Sequence, residues 1–275
     1  MSRIEATFAR LKKEGRRGLI PFITAGDPDL ETTAQLLVEL AHAGASVIEL
    51  GVPFSDPVAD GPVIQRASER ALKLGFGLRD VLDVVEQSRP LMKDVAVVLF
   101  SYFNPLLQYG LERLSREAAH AGVDGVLVTD LVPEEAAEFS SLLRAHGLDM
   151  IFLVAPTSTD ARLKLVAERA SGFIYAVSRA GVTGARLDVS RDAERLVERV
   201  RKVSDLPVAV GFGISNAEQV CETWRYADAA VVGSALVAEI EKRTGANDLV
   251  SRTGEFVRRL LPAEAHTMKD DGSEP

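Results

Sequence analysis

The chain has 275 residues, 47% of them hydrophobic and 26% charged, the balance of a globular protein with one sizeable core rather than a disordered or membrane-spanning chain. Forty Asp and Glu against 32 Lys and Arg leave a net charge of −8 with no local basic patch, which excludes a polyanion-binding surface for nucleic acid or anionic membranes. A single cysteine, Cys221, excludes an internal disulfide and a multi-thiolate metal site, and it fits a reducing compartment, so a cytoplasmic protein is expected.

The start of the chain, Met1 to Arg17, mixes Arg, Lys and Glu without the apolar run of a signal peptide, and nothing downstream approaches the ~20 apolar residues of a membrane helix. Residues 1–14 read as an extra helix outside the chemistry. A regular alternation follows. Short runs rich in Val, Ile and Leu predict strands over 19–24, 46–50, 95–100, 125–129, 149–154, 173–177, 207–211 and 228–232. Between them, helical spacing predicts helices over 30–43, 62–74 and 78–89, 111–121, 134–146, 161–170, 189–202 and 216–224, and two more begin at Ala235 and Asp248. Gly44, Gly122, Gly147 and Gly172 each stand just before such a strand, where a helix ends and turns. Residues 262–275 are a polar tail expected to be disordered. Eight βα units without a composition break predict one domain over 1–261, a closed (β/α)₈ barrel of the TIM type with an N-terminal helix and additional helices after strands two and eight. Periodicity does not show that the first and last strands pair, so an open doubly wound sheet stays as the alternative.

In such a barrel, reactive groups sit at the C-terminal ends of the strands and in the loops that follow. His42, His120 and His146 fall in the last turn of a helix, at the opposite end, and His266 is in the tail. The lysines also avoid the strand ends. A Schiff-base or metal-dependent site thus lacks its main requirement. Carboxylates remain. In Val47-Ile48-Glu49-Leu50, strand alternation points Glu49 into the barrel with Val47, where apolar surroundings should raise its pKa toward neutrality; the alternative is a Glu paired with a buried Arg. The stiff loop from Gly51 to Pro62 carries Asp60, read either as a cap for the next helix or as a second carboxylate facing Glu49. Asp56 reads as a turn or contact residue, Asp27 as a helix N-cap, and Asp130, ending the fourth strand, as the rival of Asp60.

Glycines mark three later strand ends: Gly184 in the loop after strand six, Gly213 after strand seven, and Gly233 with Ser234 after strand eight. Backbone amides at helix starts favour an anion, and the loops after strands seven and eight are where barrels place phosphate. Phe22, Phe100, Leu127, Tyr175, Phe212 and Val231 should line the mouth between carboxylates and glycines, which suggests a flat apolar substrate joined to a phosphate.

The motifs Pro21 to Pro28, IELGVPFSDPVADGPVIQ from Ile48, APTST from Ala155, SRAGVTGA from Ser178 and GFGIS from Gly211 together resemble the tryptophan synthase alpha subunit family, in order over residues 5 to 260. Val132 before Pro133, and the bulk of Phe100 and Phe103, depart from the usual pattern. The resemblance implies a lyase performing reversible retro-aldol cleavage of indole-3-glycerol phosphate to indole and glyceraldehyde 3-phosphate in tryptophan biosynthesis. It implies Glu49 as the acid/base at C3 and the glycerol hydroxyl, Asp60 at the indole N–H, and a loop around Thr183 that closes over substrate. It also implies no cofactor in this chain and a pyridoxal-phosphate-dependent beta subunit as partner in an α₂β₂ assembly, with the loop Pro53 to Pro57 in the contact. A different phosphosugar barrel and a non-catalytic regulatory subunit are the competing readings.

Overall fold

The computed structural model describes residues 1–92, 94–177, 186–211 and 213–262. Strand β1 (Gly18–Thr24) begins a parallel ladder that runs through β2 (Val47–Gly51), β3 (Ala96–Ser101), β4 (Gly125–Val128), β5 (Asp149–Val154), β6 (Ile174–Val177), β7 (Val208–Gly211) and β8 (Ala229–Val232). The ladder then returns to its start, with Gly18 opposite Ala229 and Pro21 opposite Val232. The sheet is therefore a closed eight-stranded barrel in sequence order, and the open-sheet alternative falls.

Helices α1 (Arg3–Lys13), α2 (Leu30–His42), α3 (Pro62–Leu72), α4 (Leu78–Ser88), α5 (Phe103–Tyr109), α6 (Leu111–Ala121), α7 (Ala137–Ala145), α8 (Asp160–Arg169), α9 (Arg186–Arg201), α10 (Ala217–Thr223), α11 (Ser234–Arg243) and α12 (Leu249–Leu260) complete the described fold. Predicted and observed elements agree to within a few residues, as helix ends generally do. The exception is α5, which the spacing does not predict. It is seven residues long and carries Pro105, which reads as a breaker but is tolerated because it stands in the first turn.

The helix-to-strand glycines have the geometry their positions demand. Gly44, Gly122, Gly147 and Gly172 all have positive φ. Gly122, at φ 88°, is left-handed and donates back to the Ala118 and Ala119 carbonyls, ending α6 where a β-carbon would strain the turn.

Two apolar layers hold the barrel. Outward-facing residues such as Ile48, Leu50, Val97 and Leu99 pack under the helices. Inward-facing Ile20, Val47, Val98, Leu127, Ile151 and Ala209 fill the interior together with Ile4, Phe8 and Leu11 of α1. Helix α1 is thus a stopper for the N-terminal end of the barrel. Its cap residue Ser2 donates to Asp149 at 2.6 Å, Arg3 pairs with Asp124, and Phe8 meets Phe173 with ring centroids 5.8 Å apart.

Candidate active site at the C-terminal mouth

The C-terminal end of the barrel opens into a cavity of about 780 Å³, whose wall includes Asp60, Phe100, Thr129, Tyr175, Val231 and Ser234. Its described lining contains Asp60 as its one charged side chain and no Lys or Arg.

Glu49 sits below this cavity because strand register puts it there: it lies opposite Phe22 of β1 and Val98 of β3. The side chain is 1% exposed. Its Oε1 has no hydrogen-bond partner among the described residues, so pairing with a buried Arg is not what holds it. Burial alone pushes its pKa up to about 8, so the carboxyl keeps its proton at neutral pH. Tyr175 stands beside it, and burial together with the Glu49 charge holds the phenol well above its ordinary pKa. A β-carbon on Gly211 would overlap the Tyr175 hydroxyl, so the glycine that ends β7 makes room for this ring.

Asp60 is not a helix cap. That role at α3 falls to Gly61, without a side-chain hydrogen bond, and Pro62 follows at the first helical position. The freed carboxylate faces the cavity, where burial raises its pKa and the nearby Tyr102 hydroxyl opposes the rise. Its backbone is fixed on both sides: the amide donates to Pro57 at 3.0 Å, and Gln65 donates to its carbonyl at 2.9 Å. Asp56 does form a turn, its carbonyl accepting from Val58 at 2.9 Å.

The other acidic candidates are occupied elsewhere. Asp130 is exposed, and its Oδ1 accepts the Phe103 amide at 2.7 Å, serving the start of α5 outside the cavity wall. Asp27 is a correction: the N-cap of α2 is Asp29, which accepts from Thr32 at 2.7 Å. The helix starts at Leu30, so a cap before Pro28 would be too early. Asp27 instead forms a two-pronged pair with Arg70 of α3, both bonds 2.8 Å. Arg66 and Arg70 also grip Glu241 of α11, at 2.7 to 2.8 Å. The helix that follows Asp60 is therefore clamped to the helix that starts at Ser234.

Gly213, Gly233 and Ser234 all reach the cavity wall. Helix α11 opens directly beneath it, and the Ser234 and Ala235 amides precede the first intrahelical donor, Leu236, which bonds the Gly233 carbonyl at 2.9 Å. Of the expected apolar lining, Phe100, Tyr175 and Val231 line the cavity. Phe22 stands behind Phe100, edge to face with centroids 5.2 Å apart. Leu127 is wholly buried in the barrel interior. Thr183, Gly184 and Phe212 lie outside the described residues.

Sequence reasoning does not single out Thr129, Leu153 and Ser158 of the cavity wall, nor Tyr102, which follows β3 immediately and meets the Asp60 loop at Ala59; the strand-end rule points to Thr129 and Tyr102.

Comparison with known proteins agrees with this geometry. Residues 8–265 match the family described as tryptophan synthase alpha chain. The chain is 53% identical to the tryptophan synthase alpha chain of Citrifermentans bemidjiense over 260 residues, covering 94% of this chain and 97% of that one. It is 56% identical to that of Dechloromonas aromatica over 245 residues, 89% and 91% of the two chains. Among solved structures, tryptophan synthase subunit alpha from Legionella pneumophila superposes with a TM-score of 0.88 at 39% identity, covering 94% of this chain and 97% of that one. A chain of tryptophan synthase from M. tuberculosis in an aminoacrylate-bound form gives 0.84 at 38% identity, covering 95% and 100%.

Proposed function

The chain belongs to the tryptophan synthase alpha chain family, lyases that cleave indole-3-glycerol phosphate to indole and glyceraldehyde 3-phosphate, and from that premise we propose that Glu49 and Asp60 carry the reaction here. One observation supports this assignment most: a carboxyl group 1% exposed, unpaired at Oε1 and protonated at neutral pH lies under an apolar cavity whose wall holds a second carboxylate.

Glu49 gives its proton to C3 of the indole, which makes the ring an electron sink. The resulting carboxylate takes the hydroxyl proton from the glycerol carbon bonded to C3. That carbon–carbon bond breaks, its electron pair returns to the ring, and the carbon leaves as the aldehyde of glyceraldehyde 3-phosphate. Protons balance: Glu49 gives one proton to C3, where it stays on the released indole, and regains one from the glycerol hydroxyl. Asp60 accepts a hydrogen bond from the indole N–H and stabilises the positive charge that builds there. The phosphate rests on backbone amides at Gly213, Gly233 and Ser234, at the positive end of α11, with Gly184 completing the anchor and Thr183 closing over it. Phe100, Tyr175 and Val231, backed by Phe22 and Leu127 and joined by Phe212, hold the indole. The reaction needs no cofactor in this chain.

The partner is a pyridoxal-phosphate-dependent beta subunit in an α₂β₂ assembly. A groove between Pro53–Phe54–Ser55 and Pro105–Gln108–Tyr109, with Val58 87% and Leu107 50% exposed nearby, supports that contact. The protein works in the cytoplasm; among the described residues no helix is long and apolar enough to cross a membrane.

The test is to supply indole-3-glycerol phosphate to the full chain and measure indole. The wild type releases it and Glu49→Gln does not, while phosphate-ligand binding survives. Wild-type rates from that variant overturn the assignment.

A further inference from the structure

We propose that Glu241 is a positioning residue that sets the span of the site: through Arg66 and Arg70 it fixes the lengthwise register of α11 against α3, and so the distance between the phosphate anchor at Ser234 and the carboxylate of Asp60. This rests on the reading that Asp60 meets the indole N–H and that the start of α11 holds the phosphate. Both helices begin in the wall of the same cavity, α3 with Pro62, Val63 and Ile64 and α11 with Ser234. Within about two turns of those starts, the helices are tied together. Arg66 grips Glu241 with two parallel bonds, Nε to Oε1 at 2.8 Å and Nη2 to Oε2 at 2.7 Å. Arg70 donates from Nη1 to the same Oε1 at 2.7 Å, and from Nε and Nη2 to the two oxygens of Asp27, each at 2.8 Å. Asp27 is 2% exposed and stands just beyond β1, so the knot ends on the barrel itself.

What lies between the cavity and the knot shows why register needs fixing. Ala67 of α3 and Val237 of α11 are buried with Phe22 in one small apolar cluster. Apolar contact is non-directional, so it keeps the helices together but specifies weakly how far one has slid along the other. A guanidinium fork on a carboxylate has a fixed geometry and supplies that specification. Hydrogen bonds from Arg66, and then from Arg70, hold the Glu241 pKa down to about 2, so the knot stays charged throughout the working range. A slip of one residue would change the span by about 1.5 Å, the order of one carbon in the chain that joins indole to phosphate.

The experiment titrates indol-3-ylalkyl phosphates with two, three and four methylenes between ring and phosphate into the full-length wild type and Glu241→Ala, alongside indole and glycerol 3-phosphate as the separate ends. The wild type should prefer the three-carbon ligand about tenfold over either neighbour, since a tether works best when its length matches the span. In Glu241→Ala that preference should shrink to less than about threefold while each separate end binds within about twofold of wild type, because both half-sites persist and only their spacing is released. Indole release from indole-3-glycerol phosphate should fall about tenfold in kcat/KM. A residue that only braces the fold would lower stability and leave the tether preference intact. Should Glu241→Ala not fold, Arg66→Met decides the matter: it keeps the aliphatic stem of a half-exposed side chain and should show the same loss of preference, since Glu241 is left with a single bond from Arg70. A tether preference retained by a folded variant, or absent from a wild type that releases indole, overturns the role of Glu241. A wild type that releases no indole overturns the proposed function instead.

Discussion

A carboxyl group kept 1% exposed destabilises the fold whenever it ionises, and the sign of this effect at Glu49 is testable apart from catalysis. The ordinary glutamate value is 4.5 and the folded value is about 8. Below the lower value both folded and unfolded chains hold the proton. Between the two, the unfolded chain releases it and the folded chain does not, so stability falls as pH rises through that window and levels off above it. The side-chain amide that Glu49→Gln introduces never ionises. Calorimetry of this variant should thus show it close to wild type at acidic pH and more stable by a few kcal/mol at the alkaline end. An offset that stays constant with pH would mean the carboxyl is not neutral in the fold. The position of Glu49 is legible in the sequence because strand alternation alone decides which way it points. Tyr102 is not legible in that way, since its partner Ala59 and the Phe54 ring it packs on come from another segment and meet it only once the barrel closes.

Helices α1 and α5 mark the limit of what periodicity reveals about elements. The existence of α1 follows from its pattern, and Ser2 and Glu5 form its capping box, yet nothing local says that its apolar face plugs the barrel. That destination depends on an opening eight strands wide that no short window contains. Phe8→Ala should cost about 3–5 kcal/mol, as expected for an aromatic ring removed from a packed core, with indole release at low temperature nearly unchanged. Denaturant unfolding and a cleavage assay on the same preparation check both halves; a loss of activity without a loss of stability would put α1 within the chemistry after all. Helix α5 hides for the opposite reason, since it is too short for a period to emerge and its proline argues against it. Asp27 belongs with these cases. Reading it as a cap is locally reasonable, but its pairing with Arg70 requires knowing that α3 crosses the end of β1.

At the scale of the whole molecule, a net charge of −8 surrounds a cavity proposed to receive a phosphate ester, and the described wall of that cavity holds no cation. The long-range field therefore repels the substrate while the short-range dipoles at α11 attract it. Salt screens the first far more than the second. Raising ionic strength from about 10 to 150 mM, where the screening length falls from roughly 30 to 8 Å, should leave kcat/KM unchanged or modestly higher. Measured in the assembled enzyme, a steep fall with salt would point to side-chain cations in the phosphate anchor. An anchor of this kind also has an unusual relation to mutation. Alanine scanning deletes side-chain atoms, but at Gly213 and Gly233 there are none to delete, and an amide survives every substitution except proline. Such a site is lost by adding atoms rather than by removing them, so a scan that only deletes side-chain atoms would pass over the proposed phosphate anchor.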